Sequence, residues 1–251
     1  MSKVSIIMPT YNRGWIISRA IKSVLEQSYK DFELIIINDG STDNTDLVLS
    51  KFNEERISII KLETNGGLSH ARNIGLKKAT GELIAYLDSD NVWYKDFLKV
   101  NIESFDDQTK MVYSGQNMFL IGGTKEEPVV LARKTRNLEY NPVKLTRENY
   151  IDVNCAVHRK TMLEEVVSFD ETLKVLEDWD LFVQTAIKYP FGIKHIDQIL
   201  GEYYYYMPDT AETLSNKQWQ KSIEKYFGVN KAEGDDLKIK TKIQSLLKNK
   251  N

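Results

Sequence analysis

Four short apolar runs in the first hundred residues, Val4–Met8, Glu33–Ile37, Ile57–Leu62 and Glu82–Leu87, alternate with stretches of helical periodicity. Runs this rich in β-branched residues suit strands buried on both faces of a parallel sheet. Between them the helical pattern is carried by Ile17, Ile21, Val24 and Leu25, by Leu47, Val48 and Phe52, and by Leu68, Ala71, Ile74 and Ala79. Strand and helix in that rhythm predict βαβ units with right-handed crossovers, hence an α/β fold. In such sheets ligands bind beyond the carboxyl ends of the strands, near the point where strand order reverses. Polar loops fall at those ends: Pro9-Thr-Tyr-Asn-Arg13, Asn38-Asp39-Gly40-Ser-Thr-Asp43, Asn65-Gly-Gly67 and Asp88-Ser-Asp90. They are expected to line one rim, and Ser41, Thr42 or Asp43 also suits the cap of the second helix.

The fourth loop carries the sharpest chemistry. An apolar run ending in Asp88-Ser-Asp90 brings two carboxylates to the mouth of a sheet, and their repulsion calls for a cation or protons. Mg²⁺ and Mn²⁺ favour carboxylate and phosphate oxygens, so a divalent metal bridging to phosphates is the simplest account, with caps and turns as the bland alternative. An EF-hand starting at Asp88 is excluded, because Val92 takes a ligand position and Trp93 the place of the obligatory glycine.

The 251 residues allow one large domain, with or without a small appendage. A formal net charge of −2 argues against a general nucleic-acid binder. The single cysteine, Cys155, excludes an internal disulfide framework or a Cys-rich zinc site and reads as a small buried hydrophobe. No apolar stretch approaches about 18 residues and no signal peptide is recognisable, which makes a cytoplasmic protein the expectation. After about residue 105 the pattern changes to mixed strands, Met111–Gly115, Met118–Ile121, Val129–Leu131 and Asp152–Val157, with a turn at Gly122-Gly123. One helix is expected to end in Glu164–Val167 and another to begin in Asp178–Ala186, while residues 122–150 read as a mobile, acceptor-facing insertion. Expected boundaries are 1–105 for the alternating α/β half, 106–215 for a second half of the same domain, and 216–251 for a helical, basic tail. Leu237–Asn251 is open to two readings, a solvated helix or contact with a membrane surface.

Five motifs, in order, resemble the family 2 glycosyltransferases of GT-A fold. They are Ser5-Ile-Ile-Met-Pro-Thr-Tyr-Asn-Arg13, Ile37-Asn-Asp-Gly-Ser-Thr-Asp43, Asn65-Gly-Gly-Leu-Ser-His-Ala-Arg-Asn-Ile-Gly-Leu76, Gly81-Glu-Leu-Ile-Ala-Tyr-Leu-Asp-Ser-Asp90, and Phe169-Asp-Glu-Thr-Leu173 followed by Glu177-Asp-Trp-Asp-Leu-Phe182. The likeness covers roughly residues 3 to 205. It implies a Rossmann-like half with a mostly parallel sheet followed by a mixed-sheet acceptor half. It further implies a nucleotide-sugar donor, an Mn²⁺ or Mg²⁺ cofactor, and inversion at the anomeric carbon. By position it assigns Pro9, Thr10, Tyr11, Asn12, Asn38, Asp39, Asn65, Arg72, Asp88 and Ser89 to the nucleotide sugar, with Arg72 near uracil or phosphate. Asp90 and Asp88 are assigned to the metal, and Asp178, beside Glu177, to the general base. At a helix start Asp178 is expected to stay ionised through the dipole. The acceptor would be a glycan, a lipid-linked sugar or a glycoprotein in surface-glycan synthesis, with peripheral attachment at the inner membrane face an option for the basic tail.

Three departures from the family pattern stand out. Asn38 replaces an acid, Asn91 replaces a frequent third acid after Asp-x-Asp, and Tyr203–Met207 lacks the Arg that many relatives carry. A non-catalytic nucleotide-sugar-binding partner therefore remains the rival reading, and a sugar-nucleotide pyrophosphorylase the nearest enzyme alternative. Against the latter, the first strand ends in Pro-Thr-Tyr-Asn rather than a Gly-rich loop. A dehydrogenase is disfavoured because no Gly-x-Gly-x-x-Gly follows a predicted strand. His70, His158, His195 and Asp180 read as structural, Arg13 as either a phosphate contact or a surface residue, and Tyr203–Tyr206 as a buried edge strand or an acceptor-stacking surface.

Overall fold

The computed structural model describes residues 2–166 and 168–207, with Thr241 alone beyond them. The expected tail, 216–251, thus lies outside the described residues apart from Thr241. Among the described residues no helix is long and apolar enough to cross a membrane.

The first half follows the predicted rhythm: β1 (Val4–Thr10), α1 (Ile17–Leu25), β2 (Phe32–Asn38), α2 (Thr45–Leu49), β3 (Ile57–Lys61), α3 (Leu68–Lys78) and β4 (Leu83–Tyr86). Then come β5 (Val92–Trp93), α4 (Phe97–Glu103), β6 (Met111–Gly123), β7 (Pro128–Arg136), α5 (Pro142–Leu145), β8 (Ala156–Arg159), α6 (Glu177–Lys188) and β9 (Ile193–Tyr206). All nine strands join one sheet in the order β3-β2-β1-β4-β8-β6-β9-β5, with β7 beside β6. The β3-β2-β1-β4 part is parallel, and antiparallel β8 begins the mixed part.

Alternation along the strands divides the interior in two. Ile7, Ile35 and Ile37 face one core, with Ala71 of α3 and Trp179 and Phe182 of α6. Ile6, Met8, Leu34 and Ile36 face the other, with Ile17, Ile21 and Val24 of α1. Burial of each such side chain contributes about 1.5–3 kcal/mol, which fixes helices on both faces of the parallel strands. Gly75 lets α3 lie against β1, since a Cβ there would sit 2.5 Å from the Ile7 Cγ2. Because β1, β2 and β4 run parallel, the loops after them emerge at one end.

The second half differs from the sequence expectation in several places. The chain runs as strand through Gly122-Gly123, and the turn to β7 follows at Thr124–Glu127. Residues 128–136 of the expected mobile insertion are an edge strand paired with β6, with a bulge at Leu131. Alternation is weak there because most of β7 is exposed and no core imposes it. Residues 153–155 form a 3₁₀ turn before β8 rather than strand, and 160–164 form a second such turn where a helix end was expected.

Candidate active site

The loops after β1, β2 and β4, together with the amino end of α3 and the last residues of β9, enclose a cavity of about 460 Å³. Its lining includes Pro9, Thr10, Tyr11, Arg13, Asp39, Asn65, Asp88, Ser89 and Asp90, closed by Tyr203–Tyr206. Asp39 is buried, and its two carboxylate oxygens accept from the Gly66 and Gly67 amides at 2.8 and 2.9 Å. Gly67 has a φ of 92°, a conformation that suits glycine and aims this amide inward. Thr10 is buried on the cavity wall with its hydroxyl unpartnered.

Asn12 and Asn38 are absent from this lining. The Asn12 side chain accepts from the Thr42 and Asp43 amides at 2.8 and 3.3 Å. Fully buried Asn38 donates to Asp46 at 2.6 Å and accepts from the Ser41 amide. Both brace the loop that carries Asp39. An acid at position 38 would stand beside Asp46, so Asn supplies a donor where a carboxylate would repel.

A second cavity, also about 460 Å³, shares Leu68, Asp88, Tyr203 and Tyr205 with the first and is lined beyond them by Arg72, Arg136, Asn149, Asp152, Asn154, Glu177 and Asp178. Arg72 faces this side. Only 1% exposed, it donates to Asp88 at 2.8 Å and forms a short ion pair with Glu177. Burial works against its charge, but Asp88 and Glu177 hold it protonated. Arg72, expected near uracil or phosphate, thus bridges two carboxylates on the wall of this cavity.

The Asp88–Asn91 loop is braced from several sides. Asn154 donates to the Asp88 carboxylate at 3.0 Å and accepts from the Asp88 amide at 2.6 Å. Buried Asn91 accepts from the Tyr204 amide at 2.8 Å, and Arg19 donates to the Asp90 carbonyl at 2.8 Å. Asn91, at the place of a third acid, thus ties the loop to β9. Burial pushes the Asp90 carboxyl up and Asp88 adds to this, while the Arg13 guanidinium, 3.1 Å away, offsets it.

Asp178 accepts from the Asn149 side chain at 3.1 Å and from the Trp179 amide at 2.7 Å. Burial, followed by the charges of Glu177 and Asp152, raises its carboxyl from 3.8 to about 7. The expectation that the helix dipole keeps it fully ionised is corrected: desolvation and like charges outweigh a terminus effect of about 0.3–1 kcal/mol. Glu177 is paired with Arg72, while Asp178 carries the raised carboxyl.

The remaining candidates are structural. Buried His158 is pushed down to about 4 by desolvation and pairs with Tyr86 at 2.9 Å, while His195 pairs with Asn137 and His70 with Glu171. Asp180 accepts from Gln184 one turn on, and Cys155 is buried. Tyr203–Tyr206 form an edge of the cavity as well as part of β9: Arg19 lies 3.8 Å over the Tyr204 ring and donates to the Tyr206 hydroxyl. Sequence reasoning missed Asn154, Asn149 and Arg19, isolated polar residues that meet the site only across long chain separations.

A parallel-to-mixed sheet with polar loops at the carboxyl ends of β1, β2 and β4, acidic after β2 and β4, defines the GT-A class of α/β fold. The family model for glycosyl transferase family 2 matches residues 5–167, and the chain belongs to that family. It is similar to the UDP-Glc:alpha-D-GlcNAc-diphosphoundecaprenol beta-1,3-glucosyltransferase WfgD of Escherichia coli, 44% identical over 99 residues, 39% of each chain. It is also similar to the putative teichuronic acid biosynthesis glycosyltransferase TuaG of Bacillus subtilis, 38% identical over 48% of this chain and 49% of that one. The matched segment thus spans less than half the length of either relative. Among solved structures, S. aureus TarS 1–349 in complex with UDP-GlcNAc superposes with a TM-score of 0.65 at 20% identity, over 97% of this chain and 72% of that one. The mannosyltransferase PcManGT from Pyrobaculum calidifontis, in complex with GDP-Man and Mn²⁺, gives 0.62 at 16% identity, over 99% and 74%. At these identities the likeness shows the fold.

Among the described residues no three His, Cys, Asp or Glu side chains come together as a closed metal site. Asp88 and Asp90 nevertheless fit a divalent cation. They are hard oxygen donors on one cavity wall, and Mg²⁺-type ions commonly take one or two carboxylates and complete their shell with phosphate oxygens and water.

Proposed function

We propose that the protein is an inverting glycosyltransferase that moves a hexose or N-acetylhexosamine from a UDP-sugar to a hydroxyl of a glycan, lipid-linked or glycoprotein acceptor. The carrying observation is that Asp178 opens on the second cavity, whose wall at Asp88 and Tyr203 is also the wall of the first. A donor in the first cavity and an acceptor in the second would meet at that wall. UDP-Glc in the name of WfgD and UDP-GlcNAc in the TarS complex support a uridine donor.

Asp178 takes the acceptor hydroxyl's proton as the new bond to the anomeric carbon forms and the bond to the leaving diphosphate breaks. One displacement from the opposite face inverts the centre, the logic of single-step glycoside hydrolysis with an alcohol in place of water. A carboxyl titrating near 7 is a stronger base than one near 3.8 and is still half ionised at neutral pH. Arg72 holds Asp88 and Glu177 through its two ion pairs, and Asn154 donates to Asp88. Asp90 and Asp88 would hold Mn²⁺ or Mg²⁺, which when bound would neutralise charge on the diphosphate.

The test is UDP release from a set of UDP-sugars with Mn²⁺ and candidate acceptors. Asp178→Asn is expected to lower transfer by about 10²-fold or more while the donor still raises the melting temperature, and Asp90→Ala to lose both. Near wild-type turnover by Asp178→Asn would remove it as the base.

A further inference from the structure

We propose that Arg13 is an exchangeable counter-ion, neutralising Asp90 while the donor cavity is empty and turning to the donor's diphosphate when a divalent cation takes its place. The proposal rests on reading the first cavity as the donor site. Three arginines meet at this end of the sheet, and they differ in freedom. Arg72 is buried between two carboxylates. Arg19 is held by the Asp90 carbonyl, the Tyr206 hydroxyl and the Tyr204 ring. Arg13 makes one ion pair, to Asp90 at 3.1 Å, with its side chain 42% exposed on the cavity wall.

Its root is fixed while its head can move. The Arg13 amide donates to Thr45 Oγ1 at 3.1 Å, and its carbonyl accepts from Ile16 and Ile17 at 3.0 and 2.9 Å. Asp90 does not have to follow, because Arg19 holds its carbonyl and the Asn91 amide donates to the Asp88 carbonyl at 3.1 Å. A guanidinium and a doubly charged ion repel at one carboxylate, so they compete for Asp90. Among the described residues lining this cavity, Arg13 is the only Lys or Arg. Arg19 lies against Tyr204 and Tyr206 but is not part of this lining, so a diphosphate that enters has one basic side chain within the wall. A planar fork of donors suits phosphate oxygens well.

The exchange predicts effects of opposite sign from one substitution. Without nucleotide, Arg13→Gln is expected to bind Mn²⁺ more tightly, by up to about tenfold, because the competing charge is gone. At saturating Mn²⁺ the same variant is expected to bind UDP about tenfold more weakly, with uridine binding unchanged and Arg13→Lys intermediate. Manganese EPR titration reads the first effect and calorimetry with UDP and uridine the second. Unchanged or weakened Mn²⁺ binding would overturn the exchange, and undiminished UDP binding would overturn the diphosphate contact. If the wild-type protein binds neither Mn²⁺ nor UDP, the donor-site reading itself fails, separately from the role of Arg13.

Discussion

Replacing Arg72 by Met separates a structural from a nucleotide-binding role for the central cation of the site. Met keeps most of the aliphatic volume beside Phe169 but removes the charge between Asp88 and Glu177. Glu177 is 8% exposed and would be left as a buried, uncompensated carboxylate, a situation that costs about 3–5 kcal/mol. Asp88 is 24% exposed, so water screens its share, and that pair adds at most about 1 kcal/mol. The loss at Glu177 corresponds to a drop in melting temperature of about 6–20 °C for a chain of this size. Denaturant unfolding at pH 7 of wild type, Arg72→Met, Glu177→Gln and the double variant measures it directly. The double variant is expected to recover most of the loss, because the orphaned charge is gone. A destabilisation below about 1 kcal/mol would refute the buried bridge. Weaker uridine binding with unaltered stability would instead place Arg72 at the nucleoside, as the motif resemblance implies.

Asp178 yields a signed pH prediction. Its carboxyl is raised in the folded protein, so between 3.8 and about 7 the native state holds a proton that the unfolded chain has lost. Stability is therefore expected to fall as pH rises through that window, and Asp178→Asn to flatten the slope. Activity runs the other way, with kcat/KM of the wild type rising as the carboxyl ionises and half-maximal near pH 7. Asp39→Asn replaces an oxygen that accepts from a glycine amide with an NH₂ that cannot, which is expected to cost about 1–3 kcal/mol in denaturant unfolding. The same variant should weaken UDP binding by loosening the Gly66-Gly67 wall.

The parallel half is legible in the sequence because polar loops punctuate its strands, and two-sided burial leaves an unbroken apolar run in β1, β2 and β4; β3, expected to be buried like them, is instead a largely exposed edge strand. The second half is less so. β7 has no buried face to impose alternation, and the short β8 is preceded by a 3₁₀ turn whose Asp152 and Asn154 act as local caps and clamps. At the site, sequence spacing brings Asp39, Asp88 and Asp90 to one rim and leaves open which way each neighbour points. Asn12, Asn38 and Arg72 share motifs with cavity residues, yet their side chains brace loops and carboxylates. Asn38 turns to the nearby Ser41 and Asp46, but elsewhere direction depends on partners far along the chain: Arg72 meets Glu177 across 105 residues and Asp88 meets Asn154 across 66, separations that no local pattern records. The ionisation of Asp178 escapes the sequence for a related reason, since its burial and the nearby Asp152 come from tertiary packing.

The most direct test of the central claim is the configuration of the sugar first released when the protein, with Mn²⁺, turns over a UDP-sugar of α configuration, followed by proton NMR before mutarotation. Attack on one face with Asp178 as base predicts the β anomer as the first product, in the free sugar or in the new linkage, and its disappearance in Asp178→Asn. An α product, or a β product formed equally well by Asp178→Asn, would contradict the account.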